Sequence, residues 1–330
     1  MRINTVPFLL TALCFLSLAH GEDRGGLLLT QTIALPNVQG GLNHMSVDAE
    51  HQRLFAAAPA NKTIEIVDLK SGNPWRSLKG ERPAAARYAT EFNQLYVSSG
   101  QSLYIYDAGT FELIIRIDLH SRLDQLEYSA HVRELYVGCM TASKTGIAVI
   151  AIPEGRLLGR IAFPASPQGI AVEERGMRIF ANVPAASLIE VVDQKERKIM
   201  ATWRLQSVRD NFPMALDEAD HRLFVTCRKP AEMLALDTES GKVGARVRCV
   251  GDADDMSYDR AHKRLYISGG EGSISVIEQQ DADRYRLLGH VTTAPDAATS
   301  TFSDQLSSLY VGVPGRDNEA AQIRVFTVGR

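Results

Sequence analysis

The sequence predicts an all-β fold, a seven-bladed β-propeller of four-stranded antiparallel blades closed by the N-terminal strand pairing into the last blade. Three observations predict it. A short pattern recurs at near-constant spacing, strand-like segments fill each interval in the same order, and the two chain ends carry complementary deficits.

The pattern reads RLFAAAP from Arg53, QLYVSSG from Gln94, ELYVGCM from Glu134, RIFANVP from Arg178, RLFVTCR from Arg222, RLYISGG from Arg264 and SLYVGVP from Ser308. Its second residues, Leu54, Leu95, Leu135, Ile179, Leu223, Leu265 and Leu309, are spaced by 41, 40, 44, 44, 42 and 44 positions. A fixed period of this size marks a unit that buries its apolar faces by packing on its neighbours. Each unit has the same order: a short alternating strand such as HMSVD from His44, a polar turn, the anchor strand, a third strand such as TIEIVDL from Thr63, and a fourth such as IMATWRL from Ile199. Short apolar runs between Gly, Asp, Asn and Pro turns describe an antiparallel meander, and four strands per ~40 residues is a propeller blade. The last unit stops one strand short, while LLLTQTIALP (Leu27 to Pro36) is a strand without a unit. Pairing the two would close the ring and cover exposed edges.

The chain has 330 residues with 45% hydrophobic and 23% charged content, ordinary for a globular protein. Residues 1–21 read as a signal peptide: Arg2, an apolar run from Val6 to Leu18, and a small-x-small site at Ala19-His20-Gly21. That run is too short for a spanning helix, so cleavage before Glu22 and a periplasmic or secreted destination are expected, with retention as an anchor the alternative. Residues 22–330 form one domain, expected to be a monomer. Removing residues 1–21 takes one of 36 basic residues and none of 39 acidic ones, a formal charge of −4. This argues against a nucleic-acid partner. Cys139, Cys227 and Cys249 remain, an odd number without metal-ligand spacing, and read as small buried apolar groups.

Propellers hold ligands over the central channel, beside the loops leading into the innermost strands. Ten to twelve residues before each anchor, and slightly beyond, the units carry Asn43, His44, Arg87, Asp124, Gln125, Glu127, Gln168, Asn211, Asp252, Asp254, Asp255 and Thr299. Polar groups converging on a concavity are the candidate ligand site; turn chemistry alone also favours such residues. Asp252, Asp254 and Asp255 crowd three carboxylates, which calls for a cation, either Arg87 or His44 across the channel or a Ca²⁺ on Asp254 and Asp255. No cofactor is otherwise implied, and the EF-hand spacing is absent. A catalytic alternative uses His44 as general base with Glu127, or an Asp of that cluster, as acid or orienter. His51, His221 and His262 occupy a repeated turn position and read as scaffold. Nucleotide-phosphate, serine-nucleophile and zinc-protease motifs are missing.

The segments GIAVEERGMRIFANVPAASLIEVVDQKERK from Gly169 and RLYISGGEGSISVIE from Arg264 resemble the YVTN-type propeller repeats of YncE-like exported proteins. The resemblance spans nearly all of the chain after the signal peptide. No repeat reads YVTN literally, and the third has Ile152 where an Asp is usual. The resemblance implies a periplasmic or extracytoplasmic binding propeller; with the polar ring, the expected function is non-catalytic recognition of a small molecule, a glycan or a protein at the channel mouth. Lactonase- and lyase-like relatives supply the enzymatic alternative.

Overall fold

The computed structural model describes residues 25–316 and 319–329; the signal peptide expected at residues 1–21 lies outside them. Within them the chain is strand after strand, interrupted only by three-residue 3-10 turns. Strands pair in meanders with the next segment in sequence, as the short turns require.

The expected count of seven separate four-stranded blades is corrected by the hydrogen bonding. Five four-stranded sheets stand alone, and the other eight strands form one continuous sheet. The join is a parallel bridge between His44 and Ala85, which links the opening strands Asn43–Asp48 and Pro83–Ala89 of two consecutive meanders. The physical reason lies near the axis. Opening strands converge there, and the small Ala85, 2% exposed, lets two backbones approach to bonding distance.

Leu27–Leu35 lies antiparallel on Ala321–Val328, from Leu27 opposite Val328 to Leu35 opposite Ala321. First and last segments therefore share one sheet. The opening strands touch in a closed cycle: Asn43–Asp48, Pro83–Ala89, Leu123–Ser129, Gly169–Val172, Arg209–Asp217, Ala253–Asp259, Thr299–Ser303 and back to the first. The architecture is a β-propeller with its channel inside that cycle.

The core sits between sheets. Arg53–Ala58 is buried at every position. Its alternate residues serve opposite neighbours: Leu54, Ala56 and Ala58 pack with Tyr310, Ile323 and Val325, while Phe55 and Ala57 pack with Ala86, Tyr88 and Leu95. Period-two alternation thus becomes two apolar faces instead of one. Truncating such a side chain costs about 2–5 kcal/mol. At the end of several opening strands a buried carboxylate pins the following turn. Asp48 accepts from His51 N at 3.1 Å and Asp259 from His262 N at 3.1 Å.

Candidate functional site

One irregularity shapes the mouth of the channel. In five opening strands the register against the next strand shifts near the start: between Asn43 and Met45, Pro83 and Ala85, Leu123 and Leu126, Asn211 and Met214, and Ala253 and Asp255. A β-bulge adds a residue to one strand and re-aims its side chains. Neighbours in sequence, such as Asp254 and Asp255, therefore face different partners.

His44 and Asp255 meet across the channel, Nδ1 to Oδ1 at 3.1 Å, with side chains only 16% and 15% exposed. The other oxygen of Asp255 accepts from Ser300 N at 3.0 Å. Burial opposes a charge on the ring, but Asp255, with Asp124 and Asp254 behind it, outweighs that and lifts the His44 pKa from 6.5 to about 10. Burial pushes the carboxyls of Asp124 and Asp254 upward against the pull of His44. Glu127 is pushed up by burial too, and is held by Arg87 through Nη2 to Oε2 at 2.6 Å. The Arg87 guanidinium lies 5.6 Å from the Tyr128 ring centre, and its buried Nε has no partner. His44, Arg87, Gln125, Glu127 and Asp255 line one cavity of about 130 Å³, to which every opening strand contributes.

Asp254 turns to Arg228 instead, Nη2 to Oδ1 at 2.9 Å, and Asp252 reaches the same guanidinium at 3.0 Å. Arg228 stacks on Phe212 with its carbon 3.8 Å from the ring centre. Arg228 is not among the residues expected from the sequence, which all precede or open the first strand of a unit; this arginine stands near the far end of Arg222–Lys229. Its signal was a lone Arg five residues after the anchor Leu223, where the other units have Pro59, Gly100, Met140, Pro184, Gly270 and Pro314.

The remaining candidates are placed variously. Gln168 lines a second cavity of about 500 Å³ with Phe212, Met140 and Pro184. Gly169 and Pro213, the next residues along, line the channel, so the two hollows adjoin. Asn211 is fully buried and bonds Asn182 Oδ1 at 2.8 Å and Leu188 O at 3.0 Å, tying two sheets together. Thr299 is buried and donates to Leu42 O at 3.1 Å. Asn43 is half-buried and opposite Ala57. His51 and His262 bond the turn carboxylates Asp48 and Asp259 and lie away from the channel cluster.

A divalent ion does not suit Asp254 and Asp255. Each already faces its own cation, Arg228 and His44, and among the described residues no three His, Cys, Asp or Glu side chains converge on a metal-sized point. Cys139, Cys227 and Cys249 are free, and burial pushes all three thiols up.

The chain is similar to YncE. Over 161 residues it is 26% identical to the uncharacterized protein YncE of Salmonella typhi and equally to that of Salmonella typhimurium. The match covers 47% of this chain and 44% of each relative, so it spans less than half of their length. No family model matches. Among solved structures, a chain of the mitotic checkpoint complex superposes with a TM-score of 0.78 at 12% identity, covering both chains fully. A chain of Kuenenia stuttgartiensis hydrazine synthase gives 0.76 at 16%, covering 88% of this chain and 97% of that one. The Myceliophteria thermophila Cps50 (Swd1) propeller domain gives 0.72 at 11%, covering 92% and 99%. These likenesses carry the propeller fold and nothing finer. Among the described residues no helix is long and apolar enough to cross a membrane.

Proposed function

We propose that this chain is an exported binding propeller, of the YVTN-repeat kind, that holds a small polar molecule or the polar tip of a glycan or protein at the channel mouth. The observation that carries the reading is the His44–Asp255 pair. It joins opening strands 211 residues apart in sequence and is almost closed to solvent. Burying two ionisable groups is costly unless something repays it, and among the described residues the other histidine–carboxylate pairs are local, two or three residues apart. Around it Arg87, Gln125, Glu127 and Ser257 offer donors and acceptors in a small cavity.

The catalytic alternative has less support. A general base at neutral pH must be unprotonated, whereas His44, with its pKa near 10, keeps its proton there. Glu127 is engaged by Arg87, and of the partners considered only an aspartate of the cluster, Asp255, meets the imidazole. The fold does not decide, because chains of similar fold belong to a checkpoint complex and to hydrazine synthase alike.

The test is ligand release. Protein purified from its host under native conditions is denatured, and released small molecules are compared by mass spectrometry between wild type and His44→Gln. A compound retained by wild type and absent from the variant supports the reading. Identical profiles, together with unchanged thermal shifts against a panel of sugars, amino acids and organic acids, refute it. Export is tested separately, by fractionation and by whether the mature chain starts at Glu22.

A further inference from the structure

The channel mouth has two unlike halves. Every charged side chain that lines it comes from the first, second, third and sixth units: His44, Arg87, Glu127 and Asp255. The fourth and fifth units contribute only Gly169, Ile170, Pro213 and Met214. The adjoining hollow of about 500 Å³ opens over this same apolar half. Its walls come from the fourth unit, with Pro184 and Ala185, and from the units on either side, with Met140, Pro164 and Phe212. Thr145, Ser166 and Asp210 also line it and are already engaged. Thr145 Oγ1 donates to Phe163 O at 2.8 Å, Ser166 Oγ to Met140 O at 3.1 Å, and Lys229 holds Asp210 at 2.8 Å.

Phe212 stands where hollow and channel meet, and it is held at backbone and ring although it is only half-buried. The bulge between Asn211 and Met214 leaves Phe212 and Pro213 without partners on the next strand, so Phe212 lines the hollow while Pro213 lines the channel. The Phe212 carbonyl accepts from the buried Asn182 Nδ2 at 2.9 Å. Gly169 packs on the same carbonyl, and a Cβ at 169 would collide with it, which explains a glycine there. The ring carries the Arg228 guanidinium, itself fixed by Asp252 and Asp254. Arg228 lies outside the lining of the hollow, so it braces the ring from behind. An aromatic group fixed in this way before a ligand arrives lowers the ordering cost of binding.

The charged half sets the head of the ligand. His44 and Arg87 are matched one for one by Asp255 and Glu127, so the cavity of about 130 Å³ balances its own charges. A charged head would bring in a charge that nothing there offsets. Hydrogen-bonding capacity is left over. Arg87 Nε is buried without a partner, and Gln125 and Ser257 can both donate and accept. Hydroxyl groups, which do the same, suit such a site. The larger hollow, walled by an aromatic ring and two prolines, suits a flat apolar group.

We propose that the ligand of the channel mouth is a two-part amphipathic molecule, with an uncharged hydroxyl-bearing head among His44, Arg87 and Glu127 and a flat aromatic tail laid against Phe212. This ligand class presupposes the binding role proposed above for the channel. It leaves out inorganic ions and free amino acids, which fill the polar half and leave the apolar half empty.

The test is NMR of the full chain with isotope-labelled methionine methyl groups, titrated with glycerol, with naphthol and with the naphthyl ether of glycerol. Met140 reports on the hollow, Met214 and Met256 on the channel, and the fully buried Met233 on folding. We expect the ether to shift Met140, Met214 and Met256 together and to bind about tenfold more tightly than either half alone. Phe212→Ala should weaken the ether about tenfold. Ala185→Trp, at an exposed position, plugs the hollow and should abolish the Met140 shift with Met233 unmoved, which keeps a folded variant in hand. A silent Met140 while the channel methionines respond overturns the two-part ligand and leaves the channel site standing. A silent channel while Met140 responds overturns the binding role of the channel, and the two-part ligand with it; silence at all three overturns both. Binding of the ether that neither variant alters overturns the placing of its tail against Phe212.

Discussion

The molecule contains two kinds of aspartate–histidine pair, and the contrast between them separates scaffold from site. His51 with Asp48 and His262 with Asp259 are three residues apart, at turns that follow opening strands. Their carboxylates are 0% and 1% exposed and are fully used: Asp48 also accepts from Arg53 Nε at 2.8 Å, and Asp259 from the Tyr266 hydroxyl at 2.9 Å. These pairs recur with the repeat, close a turn and need only local chain. His44 and Asp255 are brought together from 211 residues apart, and among the described residues no other histidine–carboxylate pair spans two units. A local pair forms wherever its turn forms. A distant pair exists only while the ring is closed, so it reports on closure and on the channel that closure makes.

Opening the ring gives the largest expected effect. Deleting Leu27–Leu35 strips Ala321–Val328 of its outer neighbour and removes Ile33 and Leu35, each 1% exposed in the intact chain, from the core they share with Leu54 and Tyr310. Thermal melts followed by circular dichroism should drop by more than 10 °C, on the order expected for losing several kcal/mol, and broaden as neighbouring units uncouple. By NMR the His44 imidazole should revert toward an ordinary pKa. A truncated chain with an unchanged sharp melt would erase the distinction between distant and local pairs.

Next come the carboxylates themselves. Asp259→Ala leaves a turn amide, an imidazole and a buried phenol without their acceptor. The cost should be about 3 kcal/mol in urea unfolding. Asp255→Asn should cost about half as much, because asparagine still accepts a hydrogen bond and His44 can shed its proton. Equal losses would mean that the channel pair is scaffold after all.

The pH dependence sharpens the same comparison. His44 is raised in the folded state, from 6.5 to about 10. Its stabilising contribution is therefore complete below about 6.5 and disappears as pH rises through about 10. The carboxyls of Asp124, Glu127 and Asp254, also raised by burial, give a slope of the same sign that begins nearer their ordinary range. Between pH 6.5 and 10 the wild type should lose melting temperature that His44→Gln does not lose. A parallel decline in both proteins would remove His44 as the cause.

What was legible in the sequence follows the same division. The period, the anchor strands and the order of strands within each unit were readable, because apolar alternation and turn residues are local and repeat in every unit. The chain ends were readable because Leu27–Leu35 has no unit of its own and the last unit, ending at Ala321–Val328, has no outer strand of its own. The bridge between His44 and Ala85 was not, since it depends on how closely two backbones approach the axis and no residue pattern encodes that distance. For the site, position along the opening strand picked out His44, Arg87, Glu127 and Asp255, which do line one cavity. It did not separate them from Asn211 and Thr299, equivalent in sequence but turned by the bulges into bonds between sheets. It also could not reveal that Asp254 and Asp255, adjacent in the chain, part company toward Arg228 and His44.

Arg228 allows the finest test. Its guanidinium spans Asp252, Asp254 and the Phe212 ring at once, and a lysine ammonium would keep the charge but lose the flat stacking and the two-pronged contact. Arg228→Lys should lower stability by less than about 1 kcal/mol, the scale of one cation–π contact near the surface. If Arg228 merely neutralises Asp254, the lysine variant will match wild type in every readout. If it also holds Phe212 in place at the junction of the two hollows, compounds that reach beyond the channel will dissociate faster from the variant while the His44 pKa stays where it was. Those two measurements together place Arg228 on the scaffold side or the site side of the division drawn by the histidines.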